Sequence, residues 1–369
     1  MQRTLEFKPD FERARRFWTD FWQGKADRPA IRIILPRPGT RSQPTPAYLD
    51  CFDGDFHRIA DQLLAWAETH EFLAESIPYY YLEFGPDTFA AWLGAGLQLA
   101  PDRRTSWSVP CVEDWDETEV RFHPEGYWWQ RTVEAAGVLL ERCGGKILIC
   151  PPTLVANLDA LSALRGPQRL MIDLAVCPEK VQRALGQVNA AHTQIMAACA
   201  RAFQFDRYGS MNVEGAYTTG TQSRPQCDAS CMISPAMFRE LVAPCLESEA
   251  DDADAFVYHL DGPGAIKHLE ALCGIPKLDM IAWVHGAGDE DKDWSALYDR
   301  IDRLGKGQWH YVTGREQIKQ AWHKYTSRKL AFTISAESAS EVEDFLGELE
   351  QIEKDGADPS SEAADSRQR

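Results

Sequence analysis

One continuous stretch, residues 256–288, constrains the fold of this chain more than any other. It opens with a short apolar run that ends at His259 and Asp261, and a glycine-proline-glycine turn follows. An apolar-periodic segment, 265–272, then leads to a second apolar run, 278–284, which ends in a glycine-rich loop. This order of strand, turn, helix, strand and turn predicts a βαβ unit. Because parallel α/β sheets place their chemistry just past the carboxyl ends of strands, this unit holds the first site candidate.

The same alternation recurs along the chain. Apolar runs that predict strands are separated mostly by segments with helical periodicity. They lie near residues 30–35, 79–83, 146–150, 208–213, 256–260, 279–284, 308–312 and 330–334. Such alternation predicts the α/β class and favours a single (β/α)8 TIM-type barrel with an N-terminal helical extension over a doubly wound sheet. No glycine-rich dinucleotide or P-loop pattern competes with this prediction.

The two ends of the chain differ from the predicted barrel. Residues 1–24 predict an N-terminal helix packed on the body, since apolar side chains recur there at helical spacing. Residues 25–350 form the predicted barrel, and residues 351–369, which are poor in apolar side chains, predict a disordered acidic tail. Within the barrel, the irregular segment 101–116 holds Trp107 and is typical of a functional loop or lid.

Composition limits the class of partner. The formal net charge of −17 argues against a nucleic-acid or anionic-membrane surface, but it says little about the substrate. The chain has no apolar run of about 18 residues, the length that a membrane span needs. Its start carries charges where a signal peptide has an apolar stretch, which predicts a cytoplasmic protein. The ten cysteines include no CxxC pair, and this favours reduced core residues over disulfides.

His259 and Asp261 stand at the end of one predicted strand with a single residue between them, so both side chains can point the same way. An imidazole and a carboxylate can bind a divalent metal ion together with an oxygen ligand from another strand. Glu337, just past the last strand, is the leading third ligand, and Glu214 is the next. In the structural alternative, Asp261 only caps the following turn while His259 packs.

Further candidates lie near other strand ends or in loops. His285 follows a predicted strand in a glycine-rich loop, where imidazole commonly serves as acid, base or ligand. Asp228 lies in the irregular segment 216–233, which is typical of a binding element, although Asp228 can instead anchor the loop by local hydrogen bonds. With His259 and Asp261, these two residues are the catalytic candidates. The substrate-binding candidates are Asn212, Glu214, Tyr258, Trp283 and Trp107.

Four segments together resemble the uroporphyrinogen decarboxylase superfamily. They are DLAVCPEKV (173–181), DASCMISP (228–235), YHLDG (258–262) and WVHGAG (283–288). The resemblance is clear over about 150–350 and loose before it. It implies a barrel fold and a place among enzymes that include corrinoid-dependent methyltransferases acting on methanol, methylamines, chloromethane and aryl methyl ethers.

The chain departs from that resemblance at the metal site. Zinc methyltransferases of the superfamily carry His-x-Cys on this strand and a further cysteine from the last strand. Here Asp261 and Glu337 stand near those positions, and an all-N/O site can hold zinc but is harder than a thiolate site.

The resemblance implies transfer of a methyl group between a small methylated substrate and a corrinoid. Since the chain has no Asp-x-His-x-x-Gly corrinoid motif, a partner protein would carry the cofactor. The metal, or His259 and Asp261 as an acid/base pair, would polarise the heteroatom. The alternatives are a metal-independent decarboxylase or lyase, in which Asp228 or Asp261 stabilises a protonated intermediate, and a non-catalytic ligand-binding barrel.

Overall fold

The computed structural model describes residues 4–100, 102, 104–289, 291–311 and 313–356, and the side chains of 353–356 are not part of the description. The strands are β1 (Ala30–Pro36), β2 (His70–Ala74), β3 (Tyr79–Tyr81), β4 (Gly96–Ala100), β5 (Thr105–Val109), β6 (Leu148–Cys150), β7 (Ser210–Met211), β8 (Tyr217–Thr218), β9 (Gln222–Ser223), β10 (Ala255–Asp261), β11 (Met280–Val284), β12 (Gly307–His310) and β13 (Leu330–Thr333). The helices are α1 (Phe11–Trp22), α2 (Asp50–Asp53), α3 (Phe56–Glu68), α4 (Thr88–Trp92), α5 (Tyr127–Cys143), α6 (Asn157–Arg165), α7 (Pro167–Val176), α8 (Pro178–Ala202), α9 (Phe205–Tyr208), α10 (Pro235–Met237), α11 (Ala243–Asp251), α12 (Leu269–Cys273), α13 (Ser295–Arg303), α14 (Arg315–Lys324) and α15 (Ala339–Gly356). Short 3-10 helices cover Asp228–Met232 and Pro263–His268.

A mostly parallel sheet forms the centre of the molecule. Its strand order is β2-β1-β13-β12-β11-β10-β9, and only β2 runs antiparallel to its neighbour. Three smaller sheets pair β3 with β6, β4 with β5, and β7 with β8. The predicted α/β class is therefore confirmed. Among the described strands no ladder joins the β3–β6 pair to the seven-stranded sheet, so the ladders do not complete a ring.

Every predicted strand coincides with a strand of the structure, but the sheets contain additional strands. The antiparallel hairpin of β4 and β5 falls partly within the segment 101–116, which the sequence predicted to be irregular. Both strands of this hairpin are only partly buried. Their residues therefore lack the continuous apolar run that marks the central strands.

Buried apolar side chains of the strands belong to different clusters, depending on the strand face on which they lie. Strands from three of the sheets contribute to one interior cluster, which contains Ala30, Leu148, Cys150, Met211, Tyr217, Val257, Met280, Ala282, Trp309 and Ala331. Tyr258 and Leu260 belong to a different cluster, which includes residues of the helices. Because side chains alternate along a strand, His259 and Asp261 lie on the same face of β10 as Val257.

The N-terminal helix α1 packs against this interior cluster. Phe11, Ala14, Trp18 and Phe21 are buried along one side of the helix. The ring of Trp18 stacks on Trp309 with centroids 6.4 Å apart. Trp22 donates from Nε1 to the carbonyl of Tyr217 at 2.7 Å. The side chains of α1 thus share one core with the strands.

At the carboxyl end, α15 continues through Gly356, beyond the point where the sequence predicted a tail. The rest of that predicted tail, 357–369, lies outside the described residues. Among the residues that are described, no helix combines the length and apolarity needed to cross a bilayer.

Candidate functional site

Three predicted site residues meet at the carboxyl end of β10. One potential ligand atom from each of Asp228, His259 and Asp261 lies within 4.8 Å of the others. The approach of Asp228 follows from backbone pairing, since the N–H of His259 donates to the carbonyl of Pro225 at 2.9 Å. Gln226 forms an isolated parallel bridge with His259. The loop that carries Asp228 therefore runs beside the residues at the carboxyl end of β10.

Gly262 turns the chain away immediately after Asp261. Its φ of +73° belongs to the left-handed region that L side chains rarely adopt, and the 3-10 helix Pro263–His268 begins at the next residue. The turn ends β10 at Asp261, so the Asp261 side chain stands at the rim and not within a longer ladder.

Asp159 on α6 fixes the loop of Asp228. Its two carboxylate oxygens accept the backbone N–H groups of Asp228, at 2.7 Å, and of Ala229, at 2.9 Å. Burial, and then the charge of Asp228, raise the pKa of Asp159 to about 7. Burial of its carboxyl, and then the charge of Asp261, likewise raise the pKa of Asp228. The rim therefore gathers carboxyl groups that hold protons more readily than they would in water.

The guanidinium of Arg224 lies at the centre of the site. It donates from Nε to Glu214 Oε1 at 2.6 Å, from Nη1 to Gln226 Oε1 at 3.0 Å, and from Nη2 to His259 Nδ1 at 2.6 Å. The side chain of Arg224 is 10% exposed and that of Glu214 only 1%. The hydroxyl of Tyr311 donates to the same Glu214 oxygen at 3.0 Å. A permanent cation is thus buried beside the candidate ligands.

This contact determines the state of His259. A guanidinium can only donate, so Nδ1 must accept, and in the neutral imidazole the proton is then on Nε2. Burial, and then the positive charge of Arg224, lower the pKa of His259 to about 3. His259 is therefore a neutral hydrogen-bond donor at neutral pH.

The chemistry of the donor set suits a divalent cation only in part. One imidazole and two carboxylates are appropriate N/O ligands. However, a neutral imidazole binds a metal ion through its unprotonated nitrogen, which here already accepts from Arg224. The guanidinium also adds a positive charge next to that nitrogen. As arranged, these residues do not fit a metal ion that uses His259.

Glu337, the predicted third metal ligand, lies apart from the group of Asp228, His259 and Asp261. Its side chain is exposed, and its backbone N–H donates to Glu341 Oε2 at 2.6 Å. It sits past the end of β13, where the chain turns into α15. The third member of the group with His259 and Asp261 is Asp228.

Two predicted substrate-binding residues lie on the other side of the sheet. Tyr258 is 1% exposed and Trp283 is 2% exposed, and both belong to the cluster shared with the helices. In the ladder Trp283 pairs with Leu260, which neighbours His259 along β10 and so points away from it. Tyr258 and Trp283 therefore do not share the strand face of His259 and Asp261.

His285 and Asn212 lie near the rim but outside the group of three. The Nδ1–H of His285 donates to the carbonyl of Gly286 at 2.8 Å, which leaves Nε2 as an acceptor. Asn212 is buried in a tight turn, where its Oδ1 accepts from Ala216 N at 2.9 Å. The Nδ2 of Asn212 has no hydrogen-bond partner among the described residues. Asn212 and Arg224 both line a cavity of about 30 Å³.

Glu83, just past β3, is another carboxyl with altered acidity. Burial raises its pKa to about 7, and the charge of Arg224 opposes this increase. Glu83 supplies a group that titrates close to neutral pH.

A cavity of about 450 Å³ opens beside Asp228. Trp107 on β5 forms part of its wall and is 48% exposed. The lining residues are Pro86, Asp87, Trp107, Ser108, Pro110, Val155, Asp159, Ser162, Ala163, Pro167, Gln226, Asp228, Ala229 and Met232. Among these described residues three are carboxylates and none is basic. Asp228 is thus shared by the cavity wall and the group at the end of β10.

The sequence did not single out three residues that organise this site. Arg224 and Gln226 lie in the segment without regular pattern, and Asp159 lies on a helix that is distant along the chain. The only signal for Arg224 is a basic residue four positions before Asp228 in the same loop. Spacing alone gives no reason to prefer it over other arginines.

The fold has a known counterpart. A methyltransferase from Methanosarcina mazei superimposes with a TM-score of 0.56 and 12% sequence identity, over 92% of this chain and 98% of that chain. No protein-family profile matches the sequence, and no curated protein matches it either. At 12% identity the likeness concerns the fold, and the resemblance to the uroporphyrinogen decarboxylase superfamily stays a prediction.

Proposed function

We propose that this chain is a methyltransferase-like enzyme that moves a methyl group between a small methylated substrate and a corrinoid on a partner protein. The observation that carries the proposal is the position of Asp228, which belongs both to the cavity wall and to the group with His259 and Asp261. The likeness of the fold to a methyltransferase over most of both chains supports the class of reaction.

The proposal includes a closed barrel of the uroporphyrinogen decarboxylase kind. Its support is the interior cluster, because strands of three separate sheets contribute to one core. In such a barrel the carboxyl end of β10 faces the mouth, where substrates of this architecture bind.

The cavity favours a neutral or cationic substrate. Asp87, Asp159 and Asp228 line it, and no basic residue is among its described lining residues. With no cation in the described part of this lining, a substrate with several carboxylates, such as a porphyrinogen, would find no charge partner there. Methylated amines and methyl ethers suit the lining better, since apolar side chains complete the wall.

The corrinoid, when bound, supplies a cobalt(I) centre that accepts the methyl group. The bond between the methyl carbon and the heteroatom breaks, and its electron pair stays on the heteroatom, which then needs a proton. Asp228, whose pKa is raised, is the proton donor that the geometry offers. The Nε2–H of His259 is a second donor that can stabilise the developing charge. No step of this scheme requires a metal ion.

The cavity border fits a docked partner. Trp107 is 48% exposed and Met232 is 56% exposed, and both line the same cavity. Two apolar side chains next to a cavity suit contact with the face of a macrocycle. The proposal therefore assigns this border to the corrinoid-carrying protein.

A methyl-transfer assay with free cob(I)alamin tests the proposal. The purified protein would be mixed with cob(I)alamin and a panel of methylamines, methanol and aryl methyl ethers, and formation of methylcobalamin would be followed by absorbance. We expect at least one donor to react, and Asp228→Asn to slow the reaction by about 100-fold or more. Asp206→Asn, the same change at an exposed position of α9 outside the cavity lining, is the matched control and should react at close to the unmodified rate.

Failure with every donor would count against methyl transfer. Release of carbon dioxide from a panel of carboxylic acids, lost in Asp228→Asn, would instead support the decarboxylase alternative. Binding of substrates with neither reaction would support the ligand-binding barrel.

A further inference from the structure

We infer that Arg224 is a positioning residue that supplies the fixed positive charge of this site, holds His259 as an Nε2–H donor and keeps divalent metal ions off its imidazole. The inference concerns the hydrogen bonding and metal content of the site. It does not depend on which reaction the protein catalyses.

Arg224 is anchored on three sides. Glu214 accepts from Nε, Gln226 from Nη1, and His259 from Nη2. Glu214 is itself held by Tyr311, and its second oxygen is buried without a partner among the described residues. Moving the guanidinium away would leave this carboxylate buried and unpaired, which is costly. The contact between Arg224 and His259 is therefore stable.

Metal-binding histidines normally show the opposite arrangement. The ring nitrogen that does not bind the metal ion carries a proton and donates it to a carboxylate, a carbonyl or water. In His259 the nitrogen near Arg224 faces a group that has no acceptor. A metal ion could use this imidazole only after the guanidinium had left or the ring had also lost its Nε2 proton.

The same chain contains the ordinary arrangement nearby. His285 donates from Nδ1 to a backbone carbonyl and so presents an unprotonated Nε2. It lies outside the group formed by Asp228, His259 and Asp261. The comparison indicates that the tautomer of His259 is set by its particular neighbour, and not by a general preference of strand-end loops.

Arg224 also provides the charge that a metal ion would otherwise bring. Its cation acts on the carboxyls of Asp228 and Glu83, in each case lowering the pKa against the effect of burial. Through Gln226, which donates to Asp228 Oδ2 at 2.9 Å, it is also linked to that carboxylate by a chain of hydrogen bonds. Arg224 thus offsets part of the negative charge at the rim and, through Gln226, helps to hold the carboxylate of Asp228 in place.

Nitrogen-15 NMR of histidine-labelled protein tests the tautomer directly. The chain has nine histidines, and a His259→Gln variant identifies the signals of His259. We expect an unprotonated Nδ1 and a protonated Nε2 at neutral pH. In Arg224→Gln this preference should be lost or reversed, whereas the signals of His285 should not change. A protonated Nδ1 in the unmodified protein would overturn the inference.

Metal binding gives a second test. Tag-free protein would be stripped with a chelator, incubated with zinc and dialysed, and zinc would be measured by elemental analysis. We expect the unmodified protein to retain no more zinc than His259→Gln. Arg224→Gln should retain about one further equivalent, and Arg224→Gln/His259→Gln should lose it again. One equivalent that depends on His259 in the unmodified protein would contradict the inference, as would an Arg224→Gln protein that gains none.

A control for misfolding is needed, because Arg224→Gln leaves the buried carboxylate of Glu214 without its cation. The double variant Arg224→Gln/Glu214→Gln removes both charges and should fold, as judged by circular dichroism. It should bind zinc through His259 in the same way as the single variant. Cobalt(II) absorption bands would report a change at the site that a purely structural role for Arg224 would not produce.

Discussion

Asp159 on α6 accepts the backbone N–H of Asp228 across 2.7 Å, although the two residues are 69 positions apart in the chain. The second oxygen of Asp159 accepts from Ala229 at 2.9 Å, so one carboxylate begins the 3-10 helix Asp228–Met232. A rigid helix therefore positions the loop that brings Asp228 to His259. The proposed proton donor depends on a residue that itself lies in the cavity wall.

Asp159→Ala should release the loop of Asp228. Both backbone N–H groups lose their acceptor, and we expect a cost of about 1–2 kcal/mol in the free energy of unfolding, as for the loss of a helix cap. Asp159→Asn keeps one carbonyl oxygen and should cost less. Hydrogen exchange of the amides of Asp228 and Ala229 should be faster in Asp159→Ala. Ser162→Ala on the same helix is the control. Equal exchange of these two amides in the unmodified protein, in Ser162→Ala and in Asp159→Ala would contradict the role assigned to Asp159.

The sequence was sufficient to predict the framework of this site. Alternation along β10 predicts that His259 and Asp261 share a face, because the period of a strand is two residues. The rule that chemistry lies at strand ends likewise selects His285, and the length of the irregular segment 216–233 selects Asp228. The same alternation, applied more strictly, would have placed Tyr258 with the helices, and the ladder places Trp283 there as well.

The contacts between loops could not be predicted in this way. Arg224 lies in a segment with neither helical nor strand periodicity, and two of its partners, Glu214 and His259, lie outside that segment. Asp159 and Glu337 could not be judged from local patterns either. Asp159 is far along the chain from the loop that it holds, and the path of the chain after β13 decides that Glu337 does not join the group at the end of β10. Local sequence patterns predict the helices and strands, whereas the contacts between these side chains depend on tertiary packing.

Arg224→Met should strongly destabilise the protein. It leaves the carboxylate of Glu214, whose side chain is 1% exposed, without its cation, and we expect a loss of about 3–5 kcal/mol in the free energy of unfolding. Glu214→Leu in the same chain should restore a large part of this loss, because the unpaired charge is gone. Urea unfolding with unchanged m-values would measure both effects.

The exposed pair of Arg300 and Glu270 is the matched control for that experiment. Arg300 donates from Nε to Glu270 Oε1 at 2.7 Å, but the Glu270 side chain is 58% exposed. Arg300→Met should therefore cost no more than about 1 kcal/mol. Similar losses at the two sites would mean that burial of Glu214 is not the cause.

Glu83→Gln should change the dependence of stability on pH. The pKa of Glu83 in the folded protein is raised from 4.5 to about 7, so between these values the folded chain holds a proton that the unfolded chain has released. The contribution of Glu83 to the free energy of unfolding therefore falls as the pH rises through this window. Relative to the unmodified protein, Glu83→Gln should gain about 1–3 kcal/mol between pH 4.5 and pH 8.

Urea unfolding at several pH values would check this sign. Glu117→Gln, at an exposed position, is the control and should show the pH dependence of the unmodified protein. A stability difference for Glu83→Gln that is constant from pH 4.5 to pH 8 would count against a buried, protonated Glu83.

Trp18→Ala tests whether α1 belongs to the same folding unit as the strands. Trp18 is 1% exposed, stacks on Trp309 and donates from Nε1 to the carbonyl of Glu75 at 3.2 Å. Loss of this side chain should cost about 3–5 kcal/mol in the free energy of unfolding and shift a single cooperative transition. Trp18→Phe, which keeps an aromatic ring but no donor, should lie between the two proteins. Arg16→Ala, on the exposed side of α1, should stay within about 0.5 kcal/mol of the unmodified protein. If α1 were an independent appendage, Trp18→Ala would leave the main transition where it is and only add an early, non-cooperative one.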